Sequence, residues 1–210
     1  MKETFSKIYT SQNWHRQQKE SASGDGSTLE FTKNLRAELP LLFKKFDIKS
    51  VFDGACGDFN WMKEVVKETN VEYIGGDIVD EMIQDNRNRH QKGSVRFIVS
   101  DITTDPLPDV DLMIARQVLF HLSHKSLDNF FKNFERSNVK YLLTTSHISP
   151  QNFNYDIADG SFRYINIFED PFKFRYRDVL YTIEDYIDPY FPRNMYLFEK
   201  KSVQTSFNAV

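Results

Sequence analysis

Cysteine is almost missing from this chain: Cys56 is the single one in 210 residues, which excludes an intramolecular disulfide framework and a cysteine-built zinc site. No cluster of histidines and carboxylates has the spacing of metal ligands either, so no metal is expected. Long apolar runs are lacking as well. No window approaches the ~18 consecutive apolar residues of a membrane helix, and the first 30 residues hold no apolar stretch of signal-peptide length. The expectation is a cytoplasmic protein with no membrane partner. A basic excess is equally absent: 27 Lys and Arg against 30 Asp and Glu leave a formal net charge of −3, with the two signs interspersed. That removes the electrostatic case for nucleic acid and leaves a small metabolite as the natural partner. The length suits one α/β domain with a small elaboration, able to bury ~70% of its extended surface.

Glycine is scarce too, and its placement is informative. Of eight glycines, Gly24 and Gly26 fall in the polar segment Ser21 to Thr28, while Gly54, Gly57, Gly75 and Gly76 fall at two strand ends. The stretch Ser50 to Trp61 reads as an apolar strand, an acidic stop at Asp53, a tight loop and a helix start. Gly54 and Gly57 let its backbone turn sharply and approach a bound molecule closely. The next strand ends at Asp77, 24 positions after Asp53, and Val95 to Ser100 is a third strand that stops at Asp101. Three successive strands thus deliver an aspartate to one edge of a parallel sheet, the edge at which such sheets bind ligands. A fourth strand is predicted over 109–115, a fifth over 139–145, and a terminal hairpin over 178–183 and 194–200. Helices are predicted from Leu29 through the stripe Leu35, Leu39, Leu42, Phe43 and Phe46, and over 60–69, 80–90 and the segment capped by Ser123.

Two readings suit this pattern: a Rossmann domain for a nicotinamide dinucleotide, and a nucleoside-binding domain for S-adenosylmethionine. A pyrophosphate at the loop's helix would be repelled by Asp58, and no third glycine follows. A cationic ligand tolerates the acid. On Asp53-Gly54-Ala55-Cys56-Gly57-Asp58-Phe59-Asn60-Trp61-Met62 the chain resembles the class I S-adenosylmethionine-dependent methyltransferases, and within them a small bacterial and algal branch. Ala55 and Phe59 stand where the broad family carries glycine. The resemblance extends over most of the chain and implies a Rossmann-like α/β fold: a mostly parallel seven-stranded sheet, helices on both faces and a C-terminal antiparallel hairpin. It implies N-terminal helices and a lid loop over 1–46 and the methyltransferase domain over 47–210. S-adenosylmethionine is then the expected cofactor, with a small-molecule acceptor as partner; self-association into a homodimer stays open.

The expected cofactor contacts follow. Asp77 takes the ribose hydroxyls, since a carboxylate accepts two hydrogen bonds from a vicinal diol. Asp101 and the Ile102 amide take the adenine, and Asp53 with the loop from Gly54 through Ala55 and Cys56 to Gly57 takes the methionine tail. Ser23 in the lid segment, Asp58, Trp61, Ile78 and Arg116 complete the set, with Trp14 as either a helix anchor or a wall over the cofactor. His121, just past the fourth strand, and His147, at the end of the fifth, are the candidate bases, because histidine titrates near neutrality. Arg116 is expected as an exposed cation that binds an anionic acceptor or pairs with Asp101. Gln117 follows it where the resemblance implies an acid. Asn154, Asp156, Arg163 and Asn166, set among aromatics, are expected to hold a polar acceptor such as a sugar or a sugar-linked phosphoryl group. An amine acceptor, a nicotinamide enzyme and a cofactor-binding relative without activity are the alternatives.

Overall fold

A computed structural model describes residues 1–11, 20–149, 151, 153–188 and 190–203. The elements in order are α1 (Lys2–Thr10), α2 (Lys33–Lys45), β1 (Ser50–Asp53), α3 (Met62–Glu68), β2 (Glu72–Asp77), α4 (Asp80–His90), β3 (Val95–Val99), β4 (Leu112–Ala115), α5 (His124–Arg136), β5 (Tyr141–His147), β6 (Tyr181–Glu184) and β7 (Arg193–Glu199). They build one seven-stranded sheet in the order β3-β2-β1-β4-β5-β7-β6. The first five strands are parallel, and β7 pairs antiparallel with both β5 and β6. The Rossmann-like fold with its antiparallel end is therefore the one implied by the sequence.

The short inner strands are apolar along their whole length because both sheet faces are covered. Val51, Leu112, Ile114 and Leu143 point into one core layer with Leu35, Leu39 and Leu42 of α2 and Val65 of α3. Their neighbours Phe52, Met113, Ala115 and Leu142 point into the other, with Leu127, Phe130 and Phe134 of α5 and Phe172 and Phe174 of the segment after β5. The period of two thus sorts each strand between two layers. Ser123 caps α5, its side chain accepting from the Ser126 amide.

Several boundaries differ from expectation: β5 runs over Tyr141–His147 rather than 139–145, β6 over Tyr181–Glu184 rather than 178–183, and α3 over Met62–Glu68 rather than 60–69. Two further shifts have local reasons. Strand β4 begins at Leu112 and not at Asp109, because the Asp111 carboxylate is used to accept from the Lys49 and Ser50 amides. Helix α2 begins at Lys33: Thr28 caps only a preceding turn, its hydroxyl accepting from the Phe31 amide. Among the described residues no helix is long and apolar enough to cross a membrane, and no group of His, Cys, Asp or Glu could hold a metal ion.

Candidate functional site

At the carboxyl edge of the parallel strands, on either side of the point where the sheet order reverses between β1 and β4, lies a cavity of about 790 Å³. Open α/β sheets bind ligands at this position. Asp53, Asp77 and Asp101 all line it, as do Gly54, Ala55, Cys56, Gly57, Trp61, Ile78 and Ile102. Trp14 and His15 lie outside the described residues.

The loop after β1 is held by its own backbone: the Gly54 amide donates to the Ile114 carbonyl at 2.9 Å and the Cys56 amide to the Gly76 carbonyl at 3.0 Å. Gly57 has φ +56°, and a Cβ there would come 2.2 Å from Ser23 Oγ, so both its conformation and the approach of the lid segment require glycine. Phe59 adopts φ 59°. Its ring is buried 4.9 Å from that of Tyr73 and 5.1 Å from that of Phe97, so it packs against the loop without lining the cavity.

Asp53 is 3% exposed, and its Oδ2 accepts from the Tyr73 hydroxyl. Burial pushes its carboxyl up to about 7, against the Tyr73 bond and the Arg116 charge. Asp77 accepts from the Gly57 and Val79 amides, one on each oxygen, and burial raises its pKa too. Each of these oxygens retains a lone pair for a ligand hydroxyl. Asp101 Oδ1 holds the Thr103 amide and hydroxyl. Beside it Ser100 Oγ, also on the cavity wall, is buried with no hydrogen-bond partner. Buried polar atoms are normally paired, so this orphan marks a place for a ligand's donor or acceptor. Asp58 departs from expectation. It does not line the cavity; it accepts from the Ala22 amide at 2.7 Å and from the Ser23 hydroxyl, and so ties down the lid segment.

Arg116 departs further. It is buried rather than exposed, and it donates from Nε and Nη2 to the two oxygens of Asp185 at 3.0 and 2.7 Å. Nη2 also reaches the Gly26 carbonyl, and the guanidinium sits 5.2 Å from the Trp61 ring. Arg116 therefore joins β4, the lid segment and the turn after β6, and it pairs with Asp185, not Asp101. Gln117, on the cavity wall, takes φ 52° and donates its backbone amide to Thr145 Oγ1.

Both candidate histidines line the cavity, in contact with the same two rings, Phe120 and Phe162. Their tautomers differ. His121 donates from Nδ1 to the Ser161 carbonyl at 2.7 Å, which leaves its lone pair on Nε2, and burial lowers its pKa. His147 accepts on Nδ1 from the Ile165 amide at 3.1 Å, so its proton is on Nε2. Burial, then the Arg193 charge, pushes its pKa down to about 4. A neutral His147 with Nε2–H is a hydrogen-bond donor at that nitrogen, not a base.

The late polar residues face elsewhere. The Asn154 amide nitrogen donates to the Asn166 and Asp170 carbonyls, and Asn166 bonds the Ser149 carbonyl and the Phe168 amide. Asp156 accepts from the His124 amide at the start of α5, and Arg163, 1% exposed, donates to the Leu122 carbonyl. These are ties between a long loop and the α5 terminus, and none of the four lines the cavity. The sequence reading missed Ser100, Asp185 and Arg193. Arg193 had a usable signal: it opens β7 opposite His147 at the end of β5. Asp185 had none, being one acid in a turn-rich stretch.

Residues 51–139 match the family model of the methyltransferase domain. No curated protein matches the chain significantly. Among solved structures, the chain is similar to the magnesium protoporphyrin IX methyltransferase of Synechocystis PCC 6803, crystallised with S-adenosylhomocysteine, at 11% identity over 94% of this chain and 97% of that one, TM-score 0.64. An S-adenosylmethionine-dependent methyltransferase from Leishmania major is 18% identical over 81% and 71%, TM-score 0.59. Human N-acetylserotonin methyltransferase in complex with S-adenosylmethionine is 14% identical over 94% and 59%, TM-score 0.59. At such identities the likenesses speak for the fold. The domain match speaks for the activity, and it replaces Asp58 as the discriminator against a nicotinamide enzyme. That match runs across the three aspartate-bearing strands, so residues 51–139 form a methyltransferase domain, with S-adenosylmethionine as its cofactor.

Proposed function

We propose that the chain methylates a hydroxyl oxygen of a small acceptor with a ring face, using His121 as the general base. The observation that carries this reading is the position of His121: it lines the same cavity as Asp53, Asp77 and Asp101, with its Nδ1 held as donor to the Ser161 carbonyl. S-adenosylmethionine, when bound, supplies a methyl group activated on a cationic sulfur. Asp77 holds the ribose hydroxyls, Asp101 with Ser100 the adenine side, and Asp53 with Gly54 to Gly57 the methionine tail. Buried carboxylates suit a ligand that brings its own positive charge. On the acceptor side Phe120, Phe162 and Tyr164 offer ring faces, His147 donates from Nε2, and His121 takes the hydroxyl proton. A sugar would have to stack on these rings without the four late polar residues first expected to hold it, which makes a flatter acceptor the better candidate.

Asp77→Ala tests the cofactor assignment. Hydrogen bonds to a charged group are worth ~1.5–3 kcal/mol, so affinity for S-adenosylhomocysteine by calorimetry is expected to fall about 10- to 150-fold; unchanged affinity would remove Asp77 from the site.

Asp53 predicts a proton coupling. Its folded pKa near 7 lies above the ordinary 3.8, so the ligand-free protein binds a proton below about 7 that a cationic ligand must expel. Affinity for S-adenosylhomocysteine, whose amino acid end carries an ammonium, is expected to weaken as the pH falls below about 7 and to level off above it. Calorimetry in buffers of different ionisation heat should register proton release. Asp53→Asn should abolish it; equal apparent heats for wild type in all buffers would refute the coupling.

A further inference from the structure

Methyl transfer as described makes no use of Arg193. This residue opens β7 and is paired across the sheet with His147, the last residue of β5, so the antiparallel register brings guanidinium and imidazole to the same edge. Arg193 lines the cavity, and its side chain is only 9% exposed. Its ion-pair partner is Asp185, whose Oδ2 stands 3.8 Å from Nε, beyond hydrogen-bond reach. Nε has no hydrogen-bond partner at all. Asp185 spends both oxygens on Arg116 at 2.7 and 3.0 Å.

With its amide oxygen turned toward the arginines, Gln117 accepts from Nη2 of Arg193 at 2.9 Å and of Arg116 at 2.7 Å. A neutral acceptor leaves the charge uncompensated. Asp25 lines the same cavity; its Oδ2 takes the Tyr190 hydroxyl and its Oδ1 is buried without a hydrogen-bond partner, but no ion pair joins it to Arg193 among the described residues. Two buried guanidiniums thus share one carboxylate, and a buried charge is costly unless it is paired.

The surroundings of Arg193 are aromatic. Its guanidinium lies 4.7 Å from the Phe31 ring. Phe191 and Tyr164 stack at 4.5 Å with 32° between their planes, and the His147 ring is 5.0 Å from Tyr164. A flat ligand that met this wall would bring its edge substituents toward the arginine.

We propose that the acceptor is a hydroxyaryl carboxylate whose carboxylate pairs with Arg193 while its ring lies along Tyr164 and Phe191. This deepens the methyltransferase reading above and rests on it. The Arg193 guanidinium, whose Nε is buried without a hydrogen-bond partner, matches a carboxylate, which Arg binds through its planar fork. A phosphate, at about −1.5 to −2, would carry surplus negative charge into the wall. A phenolic hydroxyl, with a pKa of ~10, also suits a weakly basic imidazole better than an alkyl hydroxyl does.

The test is calorimetric titration of the protein saturated with S-adenosylhomocysteine, using para-hydroxybenzoate, para-hydroxybenzamide and phenyl phosphate as probes. Wild type is expected to bind the acid about tenfold or more tightly than the amide, the worth of one charged hydrogen-bonded contact. Arg193→Gln should erase that preference while keeping affinity for S-adenosylhomocysteine, and Arg193→Lys should restore part of it. The comparison within wild type needs no variant to fold. Equal affinity for acid and amide in wild type, or a preference that survives in Arg193→Gln, overturns the proposal; phenyl phosphate binding more tightly than the acid overturns the carboxylate assignment. Should wild type fail to bind S-adenosylhomocysteine, the cofactor reading itself falls, whereas bound S-adenosylhomocysteine with no acid preference rejects this inference alone.

Discussion

Asp185→Ala is expected to destabilise the fold by about 3–5 kcal/mol, the cost of leaving a buried charge without its partner. Asp185 is fully buried at the end of β6, and it is the acid of both Arg116, at 2.7 Å, and Arg193, at 3.8 Å. Alanine would leave two cations in a wall where burial already lowers the Arg193 pKa. At ~2–4 °C per kcal/mol for a chain of this size, the melting temperature should fall by roughly 6–20 °C. Asp185→Asn keeps the shape and two acceptor sites and should cost less. Because Arg116 also holds the Gly26 carbonyl, proteolysis near the lid segment should rise in the alanine variant. A loss below ~1 kcal/mol by thermal or denaturant unfolding would mean that the pair is solvated and worth no more than a surface salt bridge.

His121→Ala is expected to lower kcat by ~10²–10⁴-fold on the true acceptor, the usual contribution of a positioned base, with KM and S-adenosylhomocysteine affinity little changed. The sign of the pH dependence follows from the lowered pKa of His121, whose largest cause is burial. A base acts in its neutral form, so turnover should stay level from neutral pH down past the ordinary histidine value of ~6.5 and fall only as the pH drops through the lowered one. His121→Ala should lack that acid limb. His147→Ala should be milder and keep the limb, because His147 donates from Nε2 and its pKa of about 4 keeps it neutral throughout. An amine acceptor, which needs only its own lone pair, would show itself by near wild-type turnover in His121→Ala.

Sequence reasoning put Asp53, Asp77 and Asp101 where they line the cavity, and put Asn154, Asp156, Arg163 and Asn166 at a site whose cavity they do not line, for a physical reason. In a parallel sheet the end of a strand is at the ligand edge by construction, so Asp53, Asp77 and Asp101 were placed by chain order alone. No such rule governs Asn154, Asp156, Arg163 and Asn166. Their polar groups are satisfied by loop carbonyls and by the α5 terminus, and nothing in their spacing distinguishes a loop tie from a ligand contact.

By itself the amino-acid sequence determined the succession of strands, the glycine loop, the cap of α5 and the terminal hairpin, because each follows from local periodicity, backbone freedom or a short-range hydrogen bond. Tertiary structure alone decided that Arg116 meets Asp185, 69 positions away, that Asp58 accepts from the Ala22 amide and the Ser23 hydroxyl, and that Nδ1 donates in His121 but accepts in His147. Those outcomes depend on which distant group arrives to take a buried charge or a ring N–H. Only packing the two core layers against the sheet brings such groups together.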